Sequence, residues 1–150
     1  MNSIRFQLVT PERVVLKDEL LSLSCPTTLG QITILPGHVP LVATLASGEL
    51  IARSGAGEKY LHVSGGFIEV KPGNEVIALA DSAEHAHEID EAATEEAKRK
   101  AQEVLARSHA SDEEYAQAAA SLERSLSRLR VSRKRSHRTN PITSEGTLKE

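Results

Sequence analysis

Aromatic residues are scarce in this chain. Two Phe, two Tyr and no Trp make up 3% of its 150 residues. Large ligand cavities and base-stacking surfaces draw heavily on aromatic side chains, so the shortage weighs against both. Cysteine is scarcer still, with Cys25 alone. One thiol builds no disulfide framework, and with no CxxC or Cys/His grouping it builds no zinc site, which suits a reducing cytosol. Its place in an apolar run predicts a buried core thiol. No stretch approaches the roughly 18 apolar residues of a membrane span. The start, Met1-Asn2-Ser3-Ile4-Arg5, shows neither the charged opening nor the apolar run of a secretory signal. Any work at a membrane is therefore expected to go through a partner, without direct insertion.

What is present is unevenly distributed. Hydrophobic residues make up 39% and charged residues 26%, normal for a globular chain, and the net charge is −3. Residues 1–83 hold six basic and eight acidic groups (−2), residues 84–123 four and eleven (−7), and residues 124–150 eight and two (+6). An acidic stretch ending in a basic one points to an electrostatic partner.

Two periodicities divide the chain. Up to about Ala80 the pattern is short and alternating. Ile4, Phe6 and Leu8 alternate with Arg5, Gln7 and Val9, and Leu21, Leu23 and Cys25 with Ser22 and Ser24. Further strand-like runs are 31–35, 41–45, 49–53, 59–63, 67–70 and 75–80. Pro36-Gly37, Ser47-Gly48, Gly55-Ala56-Gly57, Ser64-Gly65-Gly66 and Lys71-Pro72-Gly73-Asn74 separate them as turns. The last puts Pro and Gly at the centre of a type II turn, which needs φ > 0 at its second central position. Many short strands with no helix among them predict a β-sandwich or barrel.

Past Asp81 the period becomes helical. Asp90 is an N-cap candidate, and Ile89, Ala93, Ala97, Ala101, Val104 and Leu105 share one face. After a break at 107–110, Ser111-Asp112-Glu113-Glu114 reads as a capping box opening a second helix. Its stripe is Tyr115, Ala118, Ala119, Leu122, Leu126 and Leu129. So short a break makes the two helices antiparallel. The organisation expected is a β-sandwich over 1–83, a helical hairpin over 84–135 and a disordered polar tail over 136–150. Docking faces built mostly of alanine bury little area, so packing against the sandwich contributes only about a few kcal/mol. That is the profile of a movable arm, whose position a partner can decide.

No catalytic residue stands out. His38 lies in a Pro-Gly-His-Val-Pro loop, His62 inside a strand, and His109 and His137 near exposed breaks. His85 and His87 invite a metal reading, but a spacing of two puts them about 200° apart on a helix, so no shared ion is expected. No nucleophile-elbow sequence occurs, and Ser64-Gly65-Gly66 lacks the Lys-Ser/Thr of a phosphate loop. The most specific stretch is Gly30–Leu41. Its Pro36-Gly37-His38-Val39-Pro40 loop is either a stiff turn or a preorganised contact surface, since a rigid exposed loop loses little entropy on binding.

Three separated stretches, in order over about residues 4–131, resemble the epsilon subunits of F-type ATP synthases. They are Ile34–Leu41, then Ser64–Asn74 ending in Leu79-Ala80-Asp81, and the helical segments Ile89–Ala92, Glu96–Ala101, Tyr115–Ala118 and Leu129–Val131. The resemblance implies a ten-stranded sandwich with a two-helix C-terminal domain. It implies a non-catalytic part of the central stalk, peripheral on the cytoplasmic face of the bacterial plasma membrane. In that family the sandwich grips the gamma subunit and rests on the c-ring, coupling rotation to ATP synthesis. The hairpin lies against the sandwich or rises along gamma into the alpha/beta hexamer, where it inhibits hydrolysis. Gly30, Gln31, His38, Val39, Pro40 and Leu41 match the rotor-facing region. Arg124, Arg128, Arg130, Arg133, Lys134 and Arg135 would meet an acidic loop of beta. A second helix from Asp112 to Arg135 would reach roughly 36 Å at 1.5 Å per residue.

No bound cofactor and no metal are expected. Some members bind ATP through an Ile/Leu-Asp-x-x-Arg-Ala pattern. Here Ile89-Asp90-Glu91-Ala92 is followed by Ala93, which offers no donor to a phosphate, leaving Arg99 or Arg130 to compensate. A nucleotide sensor whose hairpin closes on ATP is the alternative function. Thr33 replaces a usual glycine and Gln31 a common acidic residue. Nucleic-acid binding by the basic C-terminus is disfavoured, because no aromatics interleave with the charges.

Overall fold

The computed structural model describes residues 2–107 and 109–139, with side chains described up to Arg135. Eight strands come first: β1 Ile4–Val9, β2 Val14–Leu20, β3 Ser22–Thr27, β4 Gly30–Ile34, β5 Leu41–Thr44, β6 Gly48–Ser54, β7 Gly57–Lys71 and β8 Glu75–His85. A 3-10 turn at Ala86–Glu88 leads to helices α1, Glu91–Ala106, and α2, Asp112–Thr139. The strands run in the order β2-β1-β8-β7-β6-β3-β4, with β5 also on β7. The β1–β8 pair is parallel and the other strand pairs are antiparallel.

β7 and β8 explain the strand count. β6 pairs with the first half of β7 and β5 with its second half, while β8 follows β7 along almost its whole length and β1 takes the first half of β8. Each long strand therefore serves both layers of the sandwich, so eight segments fill the places of the ten strands expected. Ser64-Gly65-Gly66 is accordingly a bend inside β7 and not a turn between strands. Gly66 sits at φ +97°, and a Cβ there would overlap the carbonyl oxygen of Leu79 and lie 2.9 Å from the Ala80 Cα. Only glycine fits, because both the dihedral and the close cross-strand approach exclude a side chain. β2 was not expected. Its Val14-Val15-Leu16-Lys17-Asp18-Glu19-Leu20 sequence lacks clean alternation, and edge pairing with β1 holds it.

The alternation elsewhere is what it promised. Ile4, Phe6 and Leu8 on β1, Leu23 and Cys25 on β3, and Leu61 and Val63 on β7 form one apolar core with Ile34, Leu50, Ile68 and Val76. Burying each Leu, Ile or Phe removes apolar area worth about 1.5–3 kcal/mol. Among the described residues, none of either helix belongs to this cluster.

The caps of the helices follow the sequence. The Asp90 side chain accepts from the Ala93 N–H at 3.0 Å. Ser111 and Glu114 form the reciprocal capping box, at 3.1 Å and 3.0 Å. The packing faces agree with expectation only in part, at Ala101, Ala118 and Leu129. Ile89 precedes α1, and Ala93 is exposed while its neighbour Thr94 is buried. On α2, Tyr115, Ala119 and Leu126 are exposed, and the buried positions are Ala118, Ser125, Ser127, Leu129, Val131 and Ser132. The apolar period overlooked the serines, whose small side chains let another element approach closely once their hydroxyls have partners. α2 also continues past Arg135, its expected end, to Thr139; most of the expected tail lies outside the described residues.

Candidate functional site

Two rigid features shape one edge of the sandwich. After β4 the chain enters Leu35-Pro36-Gly37-His38-Val39-Pro40, where two prolines fix φ and Gly37 takes φ +86°. The His38 N–H donates to the Leu35 carbonyl at 3.1 Å, and its Nδ1–H to the Val39 carbonyl at 2.7 Å. The Gly37 N–H donates to Asn74 Oδ1 at 2.7 Å. That asparagine belongs to the β7–β8 turn, where Gly73 has the positive φ the Pro-Gly pair predicted (+85°) and Asn74 itself stands at +60°. Two turns far apart in sequence thus hold each other, and the loop is preorganised.

The second feature is the β3–β4 hairpin carrying Gly30 and Gln31. Its tip is Leu29, 99% exposed. Gly30 opens the five-residue β4 and the His38 loop follows its other end, so the two expected contact regions lie about 13 Å apart at the usual strand rise. Leu41 turns inward against the core. Outward from the same stretch point Leu35, Val39 and Val42, all more than half exposed. Phe67 and Leu79, equally exposed, are cross-strand partners on β7 and β8. This apolar surface was missed in the sequence, although Phe67 alternates with buried Ile68 and so had to face outward.

The opposite feature is the seat of the helical arm. His62 pairs in register with Glu49 on β6 and Glu84 on β8, so the three side chains form a polar row across three strands. α2 lies on this row. Arg128 grips Glu84 with two donors on one guanidinium edge, Nε to Oε1 and Nη2 to Oε2 at 3.1 Å. Lys134 reaches Glu49 at 3.9 Å. Ser127 Oγ meets His62 Nε2 at 3.0 Å, and Ser47 Oγ stands 3.3 Å from the same nitrogen. His62 is 1% exposed, and burial, with the Arg128 and Arg124 charges behind it, pushes its pKa down to about 4. Beside the row, Ala86, Ile89 and Val131 make a small apolar cluster with Tyr60, separate from the main core. α2 is tied to α1 by Ser132 donating to Glu91 at 2.6 Å and by Arg133 with Glu95 at 2.7 Å.

The basic residues are thus placed at the foot of the arm, near the sheet, and not at the loop joining the helices. Arg128, Arg133 and Lys134 are engaged within the chain. Arg124 and Arg130 are exposed. His85 ends β8 and His87 lies in the 3-10 turn, so the helical angle expected between them does not apply. Their rings stack at 5.3 Å, and His85 Nε2–H donates to the Val15 carbonyl at 3.2 Å. Among the described residues no group of three or more His, Cys, Asp or Glu could hold a metal ion.

Residues 3–86 match the family described as ATP synthase, Delta/Epsilon chain, beta-sandwich domain, and residues 87–133 match its long alpha-helix domain. The chain belongs to this ATP synthase delta/epsilon family. ATP synthase epsilon chains from two Dehalococcoides mccartyi strains are 43% identical over 135 residues, covering 90% of this chain and 96% of theirs. The epsilon chain of Herpetosiphon aurantiacus is 43% identical over 136 residues, covering 90% and 98%. The fold is shared with a chain of the Euglena gracilis mitochondrial ATP synthase, solved as OSCP/F1/c-ring (TM-score 0.74, 23% identity, 83% of this chain and 78% of that one). It is shared also with a chain of the Tetrahymena thermophila enzyme, solved as central stalk/c-ring (TM-score 0.58, 13% identity, 86% and 96%). The sequence resemblance is borne out, and the chain is a non-catalytic subunit type within that complex. The family boundary at 86/87 falls in the 3-10 turn between β8 and α1. No helix among the described residues is long and apolar enough to cross a membrane.

Proposed function

We propose that this chain is the rotor adaptor of an F-type ATP synthase on the cytoplasmic face of a bacterial membrane. Its sandwich joins a gamma subunit to the c-ring, and its arm restrains ATP hydrolysis by rising into the alpha/beta hexamer. The observation that carries this is the division of the packing. The sandwich owns a complete core, while the arm is held by a small separate cluster and a row of polar contacts. A unit built so can release its arm without losing its body, because the arm's docking is small beside the free energy of the core.

The stapled His38 loop and the Leu29–Gln31 hairpin supply the surface for the c-ring. They are exposed, partly apolar and rigid, so little ordering entropy is lost on contact. The exposed Val42, Phe67 and Leu79 face offers gamma an apolar patch on flat sheet. Once the arm rises, Arg128, Arg133 and Lys134 exchange their present carboxylates for the acidic loop of beta, alongside Arg124, Arg130 and Arg135. Ending the chain after Ala86 tests this reading. The sandwich should fold, still bind gamma, and leave the reconstituted enzyme hydrolysing ATP faster than with the whole chain. Unchanged hydrolysis removes the inhibitory role, and loss of gamma binding removes the adaptor role.

One observation favours the nucleotide-sensor alternative. A cleft of about 460 Å³ between sheet and α2 is lined by Ser64, Asp81, Ser82, Glu84, Arg124 and Arg128. Two guanidinium groups suit a phosphate, yet Arg128 is committed to Glu84 and Ala93 supplies nothing. Calorimetry with ATP at millimolar concentration separates the readings; heat of binding favours the sensor.

A further inference from the structure

Among the described residues one histidine, His62, is sealed beneath the arm, and the adaptor role does not require it. Ring and surroundings come from three sources. β6 and the turn before it bring Glu49 and Ser47; β8 brings Glu84; α2 brings Ser127, with Arg124, Arg128, Arg130 and Lys134 around the same seat. Tyr60 and Ser64 flank it along its own strand, on the same face. Both nearby carboxylates already answer cations of α2. A proton on the imidazole therefore meets a ring of guanidinium and ammonium groups in a water-poor slot, where the partners of Nε2 among the described residues are two hydroxyls.

We propose that His62 is a proton-sensitive latch: the neutral ring holds the arm on the sheet, and the protonated ring drives it off. The inference deepens the mobile-arm reading and rests on it. When α2 leaves, Arg124, Arg128 and Lys134 leave with it. His62 is then open to water with Glu49 and Glu84 as its cross-strand neighbours, an environment that accepts the proton. The sign follows. With the arm down the pKa is about 4, against an ordinary value of 6.5. Docking is thus at full strength above pH 6.5 and weakens as pH falls from there towards 4. Linkage of one such group makes docking about tenfold weaker at pH 5.5 than at pH 7.5, approaching about 300-fold at the acid limit. Acidification of the surrounding compartment would then free the arm for its partner site.

The test is amide hydrogen exchange of the full chain at about pH 7.5 and 5.5, corrected for intrinsic exchange, read separately for α2 and for the core of β7. Opening of α2 should rise about tenfold in the acid sample while β7 stays protected, and His62→Gln, which keeps a polar group but cannot titrate, should abolish that rise. An arm that opens by itself with no pH dependence, or a His62→Gln chain that keeps the dependence, overturns the latch and leaves the mobile arm standing. An arm that opens only together with β7 at both pH values overturns the mobile arm, and the latch with it. If His62→Gln does not fold, the ring's NMR titration in the unaltered chain decides. A midpoint far below 6.5 supports the latch, and one at or above 6.5 with the arm docked refutes it.

Discussion

The pair between Arg128 and Glu84 offers the sharpest measure of what holds the arm. Its side chains are only 26% and 23% exposed, and the contact is two-pronged. Fully exposed pairs are worth about 0–1 kcal/mol, whereas a hydrogen bond to a charged group is worth about 1.5–3 kcal/mol. For a bidentate pair three-quarters buried, a coupling of about 1–2 kcal/mol follows. Arg128→Met keeps the aliphatic stem but leaves Glu84 beneath the arm without its cation, so α2 docking should weaken by about 2 kcal/mol, or roughly thirtyfold. Glu84→Gln should cost about as much. The double variant should cost clearly less than the sum, because neither charge is then stranded. The assay is α2 amide exchange at about pH 7.5, where His62 is neutral and removal of the neighbouring guanidinium does not mix with its titration. Additive single effects, within about 0.3–0.5 kcal/mol, would show that the pair does not hold the arm. So would a loss of protection spread equally over the sandwich.

Two further outcomes probe the body. Gly66→Ala must move the Leu79 carbonyl and also hold a positive φ, so it should lower the unfolding free energy by more than about 2 kcal/mol, read as a drop in chemical-denaturation midpoint; an unchanged midpoint would contradict the close β7–β8 approach. Cys25 is wholly buried and its thiol is pushed up to about 12, so it should resist alkylation at pH 8 in the native chain and react fully once unfolded.

How much of this was legible in the sequence depended on whether a signal was local. Turns and caps were: Asp90, the Ser111–Glu114 box and the Pro72-Gly73 turn act through neighbours a few residues away. Core strands were, because alternation at Ile4–Leu8 has one meaning when a face is buried. The bend at Gly65-Gly66 was misread as a turn, since glycine serves both needs and only the cross-strand approach of Leu79 separates them. The arm's packing was misread for a different reason. Periodicity counts apolar residues, and α2 seats itself with serines whose partners, His62 and Glu91, lie 65 and 41 residues away. The His38 loop was found, but its clasp by Asn74, 37 positions distant, had no sequence signal.

The misread stripe has a physical consequence of its own. Docked, α2 turns Tyr115, Ala119 and Leu126 to solvent and presses Ala118, Ser125, Ser127 and Ser132 inward beside Leu129 and Val131. A helix placed for greatest stability would do the reverse, because each buried Leu or Tyr contributes about 1.5–3 kcal/mol and a buried serine must first recover its lost hydration. The docked arm therefore forgoes the apolar energy of its outer face and keeps only that of Leu129 and Val131. Polar contacts stand in its place, and on the proposed reading they are exchanged, carboxylate for carboxylate, at a new site. An arm held by Leu126 and Tyr115 would have to expose apolar surface in order to leave. An arm held largely by Arg128, Lys134 and Ser127 exposes, beyond Leu129 and the small Val131 cluster, groups that water accepts readily, so much of the barrier to departure falls on the ion pairs and the imidazole between them.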